Sequence, residues 1–224
     1  MLLNTGDTPV LSQNRLLATT AWRLNGKSSF ALEGSVLSAG ATIQWLRDGL
    51  GIISKASEVE ALAESADPDA PVYLVPAFTG LGAPHWNPDA RAMITGITRG
   101  TGRAEIARAA LDSTALQTHD LLTAMRADGA AATRLKVDGG MVANNAFLQR
   151  LADICALEVV RPVNAETTAW GAGFLAGLGA EIFSDLSEAA RLWKAERSFT
   201  PGADTASRQR LISGWQDALK RATM

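Results

Sequence analysis

Between Val137 and Asn145 a short apolar run, Leu135 to Val137, meets Asp138 and two adjacent glycines, Gly139 and Gly140, and a helical pattern starts a few residues later. This arrangement restricts the fold more than any other stretch. Paired glycines permit a tight backbone turn and leave no Cβ in the way of a ligand. A strand that turns at once into a helix is the building step of layered α/β domains. The periodicity around it agrees. Arg103 to about Ala127 carries an apolar stripe through Ile106, Ala110, Leu111, Ala115, Leu121, Leu122 and Met125, and reads as one long helix. Asn145 to Ala156 reads as a helix, Leu157 to Val160 as a strand and Thr168 to Leu178 as an Ala/Gly-rich helix. Two amphipathic helices, Leu186 to Ala195 and Thr205 to Ala222, close the chain.

The first third reads differently. Asn25-Gly26 separates two β-like runs, Leu16 to Leu24 and Ser28 to Leu32, and favours positive φ at both positions, as a tight hairpin requires. With Leu2 to Asn4 as a first strand, the chain opens as a β-meander, which would make the sheet mixed rather than purely parallel. Ser35 is placed to cap a helix carrying Val36, Leu37, Gly40, Ile43 and Leu46, and Ser57 with Glu60 forms a capping-box pattern for a short helix through Glu64. Val72 to Val75 and Met93 to Ile97 read as strands. The Gly, Pro and aromatic residues from Pro76 to Asp89 read as an ordered loop across the core.

Composition narrows the function classes. A net charge of -2 lacks the basic signature of a nucleic-acid or anionic-membrane surface. No apolar run reaches the ~18 residues that cross a bilayer, and no secretory leader opens the chain, so the cytoplasm is the expected compartment. Cys155 is the sole cysteine and cannot form an internal disulfide; it reads as a small core hydrophobe. His85 and His119, the two histidines, show no metal-ligand spacing, and no catalytic-triad elbow, Walker sequence or zinc motif is present. His119 is expected on the face of the long helix, partly exposed. Glu33 and Glu166 are expected in hairpin and cap roles.

Two glycine sites have a possible ligand role. Gly139 and Gly140 stand at a strand end before a helix N-terminus, where unpaired N–H groups and the positive end of the helix dipole suit a phosphate. The alternative is a plain strand-to-helix turn. Gly40 lies inside an expected helix, at a cost of about 1 kcal/mol relative to alanine. Close helix packing or close approach of a ligand would compensate, and Gln44 sits one turn later on the same face.

These stretches together resemble the bacterial glycerol kinases of the FGGY carbohydrate kinase family. The similarity runs through Met1 to Gly6, Ala31 to Gly34, Ala39 to Asp48, Val75 to Pro88, Ala92 to Asp112, Val137 to Asn145 and Thr168 to Gly177. Pro76 to Pro84 separates glycerol kinases from pentulose kinases, although His85 and Asn87 stand where Tyr and Asp are commoner. The resemblance implies an actin/hexokinase-like ATPase fold (ribonuclease H-like), a mixed sheet flanked by helices. Residues 1–224 would be the carboxy-terminal nucleotide-binding domain of a two-domain kinase using ATP/ADP with Mg²⁺ and glycerol as substrate. By motif, Gly40 and Gln44 would contact the nucleotide on one side, and Gly140 and Asn144 on the other, with Gly139 supporting the turn. No catalytic residue and no metal ligand is expected here. The family's amino-terminal Asp-x-Gly-Thr-Thr phosphate loop, its glycerol-binding Arg-Glu pair and Tyr, its Asp-Gln pair with the catalytic base and its Tyr-Gly-Thr-Gly turn would all precede Met1, which coincides with an internal methionine of the family pattern. The face toward that absent half could drive homo-oligomerisation. Ser207 stands where the zinc-binding glutamate of a regulatory partner site is expected, so neither that phosphotransferase-system partner nor zinc is implied.

Overall fold

A computed structural model describes all of residues 1–224. In chain order it contains β1 (Leu2–Gly6), β2 (Leu17–Leu24), β3 (Lys27–Glu33), α1 (Gly40–Asp48), α2 (Glu58–Glu64), β4 (Tyr73–Val75), β5 (Met93–Thr95), α3 (Arg103–Ala127) and β6 (Arg134–Lys136). A 3₁₀ turn (Gly140–Ala143) follows, then α4 (Asn145–Cys155), β7 (Glu158–Pro162), α5 (Thr167–Gly179), α6 (Leu186–Leu192), β8 (Ala195–Phe199) and α7 (Thr205–Ala222).

The hairpin between β2 and β3 forms where Asn25-Gly26 places it, with φ of 50° and 77° at the two turn residues. The opening strands are not a meander, however. Their order is β1-β3-β2, with β3 in the centre. The connection from Asp7 to Leu16 is too long for a tight turn. It reaches past β3 and is tied to the end of α3, where the Asp128 carboxylate accepts from Ser12 Oγ (2.6 Å), Gln13 N (2.8 Å) and Asn14 Nδ2 (2.7 Å). These strands form a sheet of their own. The mixed pairing arises elsewhere: β6 runs parallel to β7, and β8 joins the other edge of β7 antiparallel.

Strand β8, which the periodicity did not mark, starts at Ala195, the last residue of the helix expected from Leu186. Helix α6 stops at Leu192, Trp193 turns to extended φ/ψ, and Phe199 is buried while the rest of β8 is exposed. Pairing with β7 supplies the hydrogen bonds that a continued helix would have made internally.

Helix α1 also departs from expectation. It begins at Gly40, not after Ser35, and Ala39 precedes it without a side-chain cap. The Ser35 carbonyl instead lies against Gly82, where an added Cβ would stand 2.5 Å from the Ser35 oxygen. Ser57 precedes α2 without capping it. Glu60 reaches across instead and accepts from the Ala146 N–H at 3.0 Å, linking α2 to the first turn of α4.

Helix α3 is the spine. Its first turn is fixed by Glu105, which accepts from the N–H groups of Gly102 (2.7 Å) and Asp67 (3.1 Å). Leu111, Ala115 and Leu116 of α3, Leu148 and Ala152 of α4 and Trp215 of α7 are essentially inaccessible and form the centre of the main core. No helix is long and apolar enough to cross a membrane.

Candidate functional site

The turn after β6 is built by backbone geometry. Gly139 adopts φ 84°, ψ -178°, a conformation open in practice to glycine alone. Its N–H donates to the Ala165 carbonyl at 2.9 Å. Val142 N then donates to Gly139 O (3.2 Å) and Asn144 N to Met141 O (3.2 Å), winding the chain into the 3₁₀ turn. Helix α4 starts a few residues after the glycines, as the sequence pattern implied, and the 3₁₀ turn fills the interval. Asn144 caps α4, its Oδ1 accepting from Phe147 N at 2.7 Å. That bond leaves the side-chain NH₂ of Asn144 available to another group.

The fold brings the two glycine sites together. A Cβ placed on Gly40 would lie 3.9 Å from Met141 Cγ, so the first residue of α1 faces the 3₁₀ turn that follows Gly139. Gly40 starts the helix and does not interrupt it, so the mid-helix cost inferred from the sequence does not arise. Gln44, one turn on, is exposed. A Cβ on Gly139 or on Gly140 would meet nothing within 4 Å, and the same holds for Gly171 and Gly173 in α5. Neither glycine of the pair is there to relieve a side-chain clash. Gly139 is demanded by its φ, and Gly140 faces open space.

Two residues organise this wall without having stood out as functional. The hydroxyl of Thr167, at the start of α5, donates to the Asp138 carboxylate and ties the end of β6 to α5. Arg161 of β7 donates to the Val142 carbonyl at 2.8 Å. Asp138 was visible as the residue before the glycines; nothing in the pattern marked Thr167 as its partner, or Arg161 as that of the turn. A cavity of about 700 Å³ opens beside this strand end, between Leu2 and Leu3 of β1, Leu135 and Val137, and Thr167 and Thr168. A second, of about 400 Å³, lies between Pro71, Arg108, Arg150 and Arg208. Gly40, Gln44, Gly139, Gly140 and Asn144 line neither; they stand on an open wall.

The two histidines converge elsewhere. His85 Nε2 lies 3.4 Å from Asp120 Oδ2, and His119 Nδ1 lies 3.8 Å from Asp120 Oδ1. Trp215 Nε1 donates to Asp120 Oδ2 at 2.8 Å. Burial alone would push the Asp120 carboxyl up, but the imidazoles of His119 and His85 and the indole N–H outweigh it and hold the group below its ordinary value. This cluster joins the Pro76–Asp89 loop to α3 and α7. No group of three or more His, Cys, Asp or Glu is disposed to hold a metal ion. Cys155 is buried, and burial pushes its thiol up to about 12, which keeps it protonated and inert at neutral pH.

A strand end that turns on glycine, an adjoining helix start and an open wall between them lie where α/β sheets commonly take up ligands. Residues 1–180 match the model of the FGGY family of carbohydrate kinases, C-terminal domain, and the chain belongs to that family. Among curated relatives, the glycerol kinase of Agrobacterium fabrum is 57% identical over 223 residues, covering 98% of this chain and 45% of that protein. The glycerol kinase of Rhodospirillum centenum is 54% identical over 221 residues, covering 99% of this chain and 44% of that protein. Among solved structures, Plasmodium falciparum glycerol kinase with ADP superposes with a TM-score of 0.89 at 34% identity, over 100% of this chain and 45% of that one. A ligand-bound xylulose kinase from Lactobacillus acidophilus superposes with a TM-score of 0.79 at 18% identity, over 100% of this chain and 45% of that one, a likeness of fold alone. The chain thus has the α/β, actin/hexokinase-like fold of these kinases and spans about half the length of the curated relatives it matches.

Proposed function

We propose that residues 1–224 form the carboxy-terminal nucleotide-binding domain of an ATP-dependent glycerol kinase, which transfers the ATP γ-phosphoryl group to glycerol to give sn-glycerol 3-phosphate in the cytoplasm. The observation that carries this reading is the convergence of Gly40 and the Gly139-Gly140 turn on one open wall. On that wall Gly40 and Gln44 hold the nucleotide from one side. Gly140 and Asn144 hold it from the other, with backbone amides and the Asn144 NH₂ as donors. Gly139 supplies the backbone conformation that lets the turn approach the phosphates.

The space a Cβ would take at Gly140 suits this role. Mg²⁺ is commonly held by substrate phosphates with few protein carboxylates, so the reading does not require the acidic cluster that this chain lacks. With the nucleotide, that ion would neutralise charge developing on the transferred group. The chain's own contribution is positioning, on which phosphoryl transfer chiefly depends. The glycerol site and the base that takes the hydroxyl proton belong, on this reading, to an amino-terminal domain, and residues 1–224 alone do not turn over.

Isothermal titration of the chain with ADP tests the site. Wild-type protein is expected to bind, and Gly140→Val to lose at least tenfold in affinity, about 1.4 kcal/mol, because its side chain fills the phosphate space. Undiminished affinity in Gly140→Val overturns the site. Co-expression with the amino-terminal half of the Agrobacterium fabrum enzyme then tests the reaction. Glycerol should be phosphorylated faster than xylulose; the reverse order makes the chain half of a pentulose kinase, and no transfer at all makes it a non-catalytic nucleotide module.

A further inference from the structure

We infer that Arg161 is a positioning residue that braces the Gly140–Ala143 turn and couples it to β8, a strand outside the stretch shared with the family model. The inference rests on the nucleotide reading of that turn. Arg161 lies on β7, directly paired with Arg197 of β8. Its guanidinium is spent in two directions. Toward the turn, Nη1 donates to the Val142 carbonyl at 2.8 Å and to Asn145 Oδ1 at 3.1 Å. Toward β8, Nε and Nη2 donate to the two Glu196 oxygens at 2.5 and 3.1 Å.

The contacts form one chain of force from β8 through Arg161 to the residues on either side of Asn144. A 3₁₀ turn has poorer internal hydrogen-bond geometry than an α-helix and gains most from an outside donor. The Val142 side chain is buried, so the turn is pinned to the core on one face and to Arg161 through its carbonyl. The Arg161 side chain is only 12% exposed, against 49% for Glu196, so solvent competes weakly at the inner end of the brace and more strongly at the outer one. The Arg161 N–H groups also hold the Glu196 carboxyl below its ordinary value, as expected for a carboxylate bound by both oxygens. A planar fork is needed to serve both directions at once. Lysine, a single point of charge, serves one. Arg161 lies within residues 1–180, but Glu196 follows residue 180, where the match to the family model ends, so the brace is anchored from outside the shared region.

The test compares Arg161→Gln, Arg161→Lys and Glu196→Gln with wild type in the 224-residue chain, by ADP titration, thermal melting and amide hydrogen exchange. Both Arg161 variants are expected to raise the ADP Kd about tenfold and Glu196→Gln about threefold, with melting temperatures within a few degrees of wild type. Arg161→Lys keeps the charge and stem, and so separates loss of the fork from failure to fold. Exchange should quicken at Val142 to Asn144 in Arg161→Gln and stay unchanged in α3. Wild-type affinity in both Arg161 variants overturns the brace. If the wild-type chain itself binds no ADP, the nucleotide reading fails independently of residue 161, and unchanged exchange at Val142 to Asn144 in Arg161→Gln then overturns the brace as well.

Discussion

The core around α3 and the wall around Gly140 use glycine for opposite reasons. At Gly96, φ is 79° and an added Cβ would stand 1.7 Å from the Pro71 carbonyl oxygen; at Gly140 an added Cβ would meet nothing within 4 Å. One glycine is required by the protein's own packing. The other borders space that the protein leaves free. The contrast teaches that a glycine's meaning lies in what its missing side chain would hit: where that is backbone, the residue serves the fold, and where it is open, it can serve a ligand.

The largest test of this division falls on the packed side. Trp215 is fully buried and its indole bonds to Asp120. Trp215→Ala should lower unfolding free energy by about 4 kcal/mol in a urea melt, from lost burial and the cavity left behind. Gly96→Ala should cost about 3 kcal/mol by the same measurement, combining backbone strain with a clash that only main-chain movement relieves. Asp120→Asn should cost about 1–2 kcal/mol at pH 7, because it weakens the links among the 76–89 loop, α3 and α7. Since the folded Asp120 lies below its ordinary 3.8, its contribution is fully present above that value and is lost as pH falls through the folded value. A stability profile taken downward from pH 5 should therefore be flatter in Asp120→Asn than in wild type. On the open side, Gly140→Val should change stability by less than about 0.5 kcal/mol while abolishing tight ADP binding; a loss comparable to Gly96→Ala would erase the distinction. The smallest effect is at Cys155, whose buried thiol should resist alkylation at pH 8 in the native chain and react only when urea unfolds it.

Where local chemistry sufficed, the sequence could be read closely. Asn25-Gly26 marks its hairpin, and the apolar stripes locate α3 and α7, because each signal is contained in a few residues or one helical face. Reading failed where a distant partner decided the outcome. Ser57 does not cap α2, and Glu60 is drawn instead to Ala146. The helix expected from Leu186 to Ala195 stops at Leu192 where β7 offers Ala195 an edge, and β1 pairs with β3 while its connection to β2 is anchored on Asp128. The glycine sites were legible as motifs. Their mutual approach was not, since Gly40 and Met141 meet only through tertiary structure, and neither was Arg161, an ordinary charged residue in a strand until its three partners are placed around it.

The element that follows the family match has one more bearing. Phe199 of β8 and Ile212, Trp215 and Leu219 of α7 all enter the main core, although each lies beyond residue 180. The stretch that the family model covers and the stretch that builds the core are thus different lengths. Anyone trimming this domain to the portion that the family model covers would remove the keystone of its interior and expose the faces of α3 and α4 that it closes.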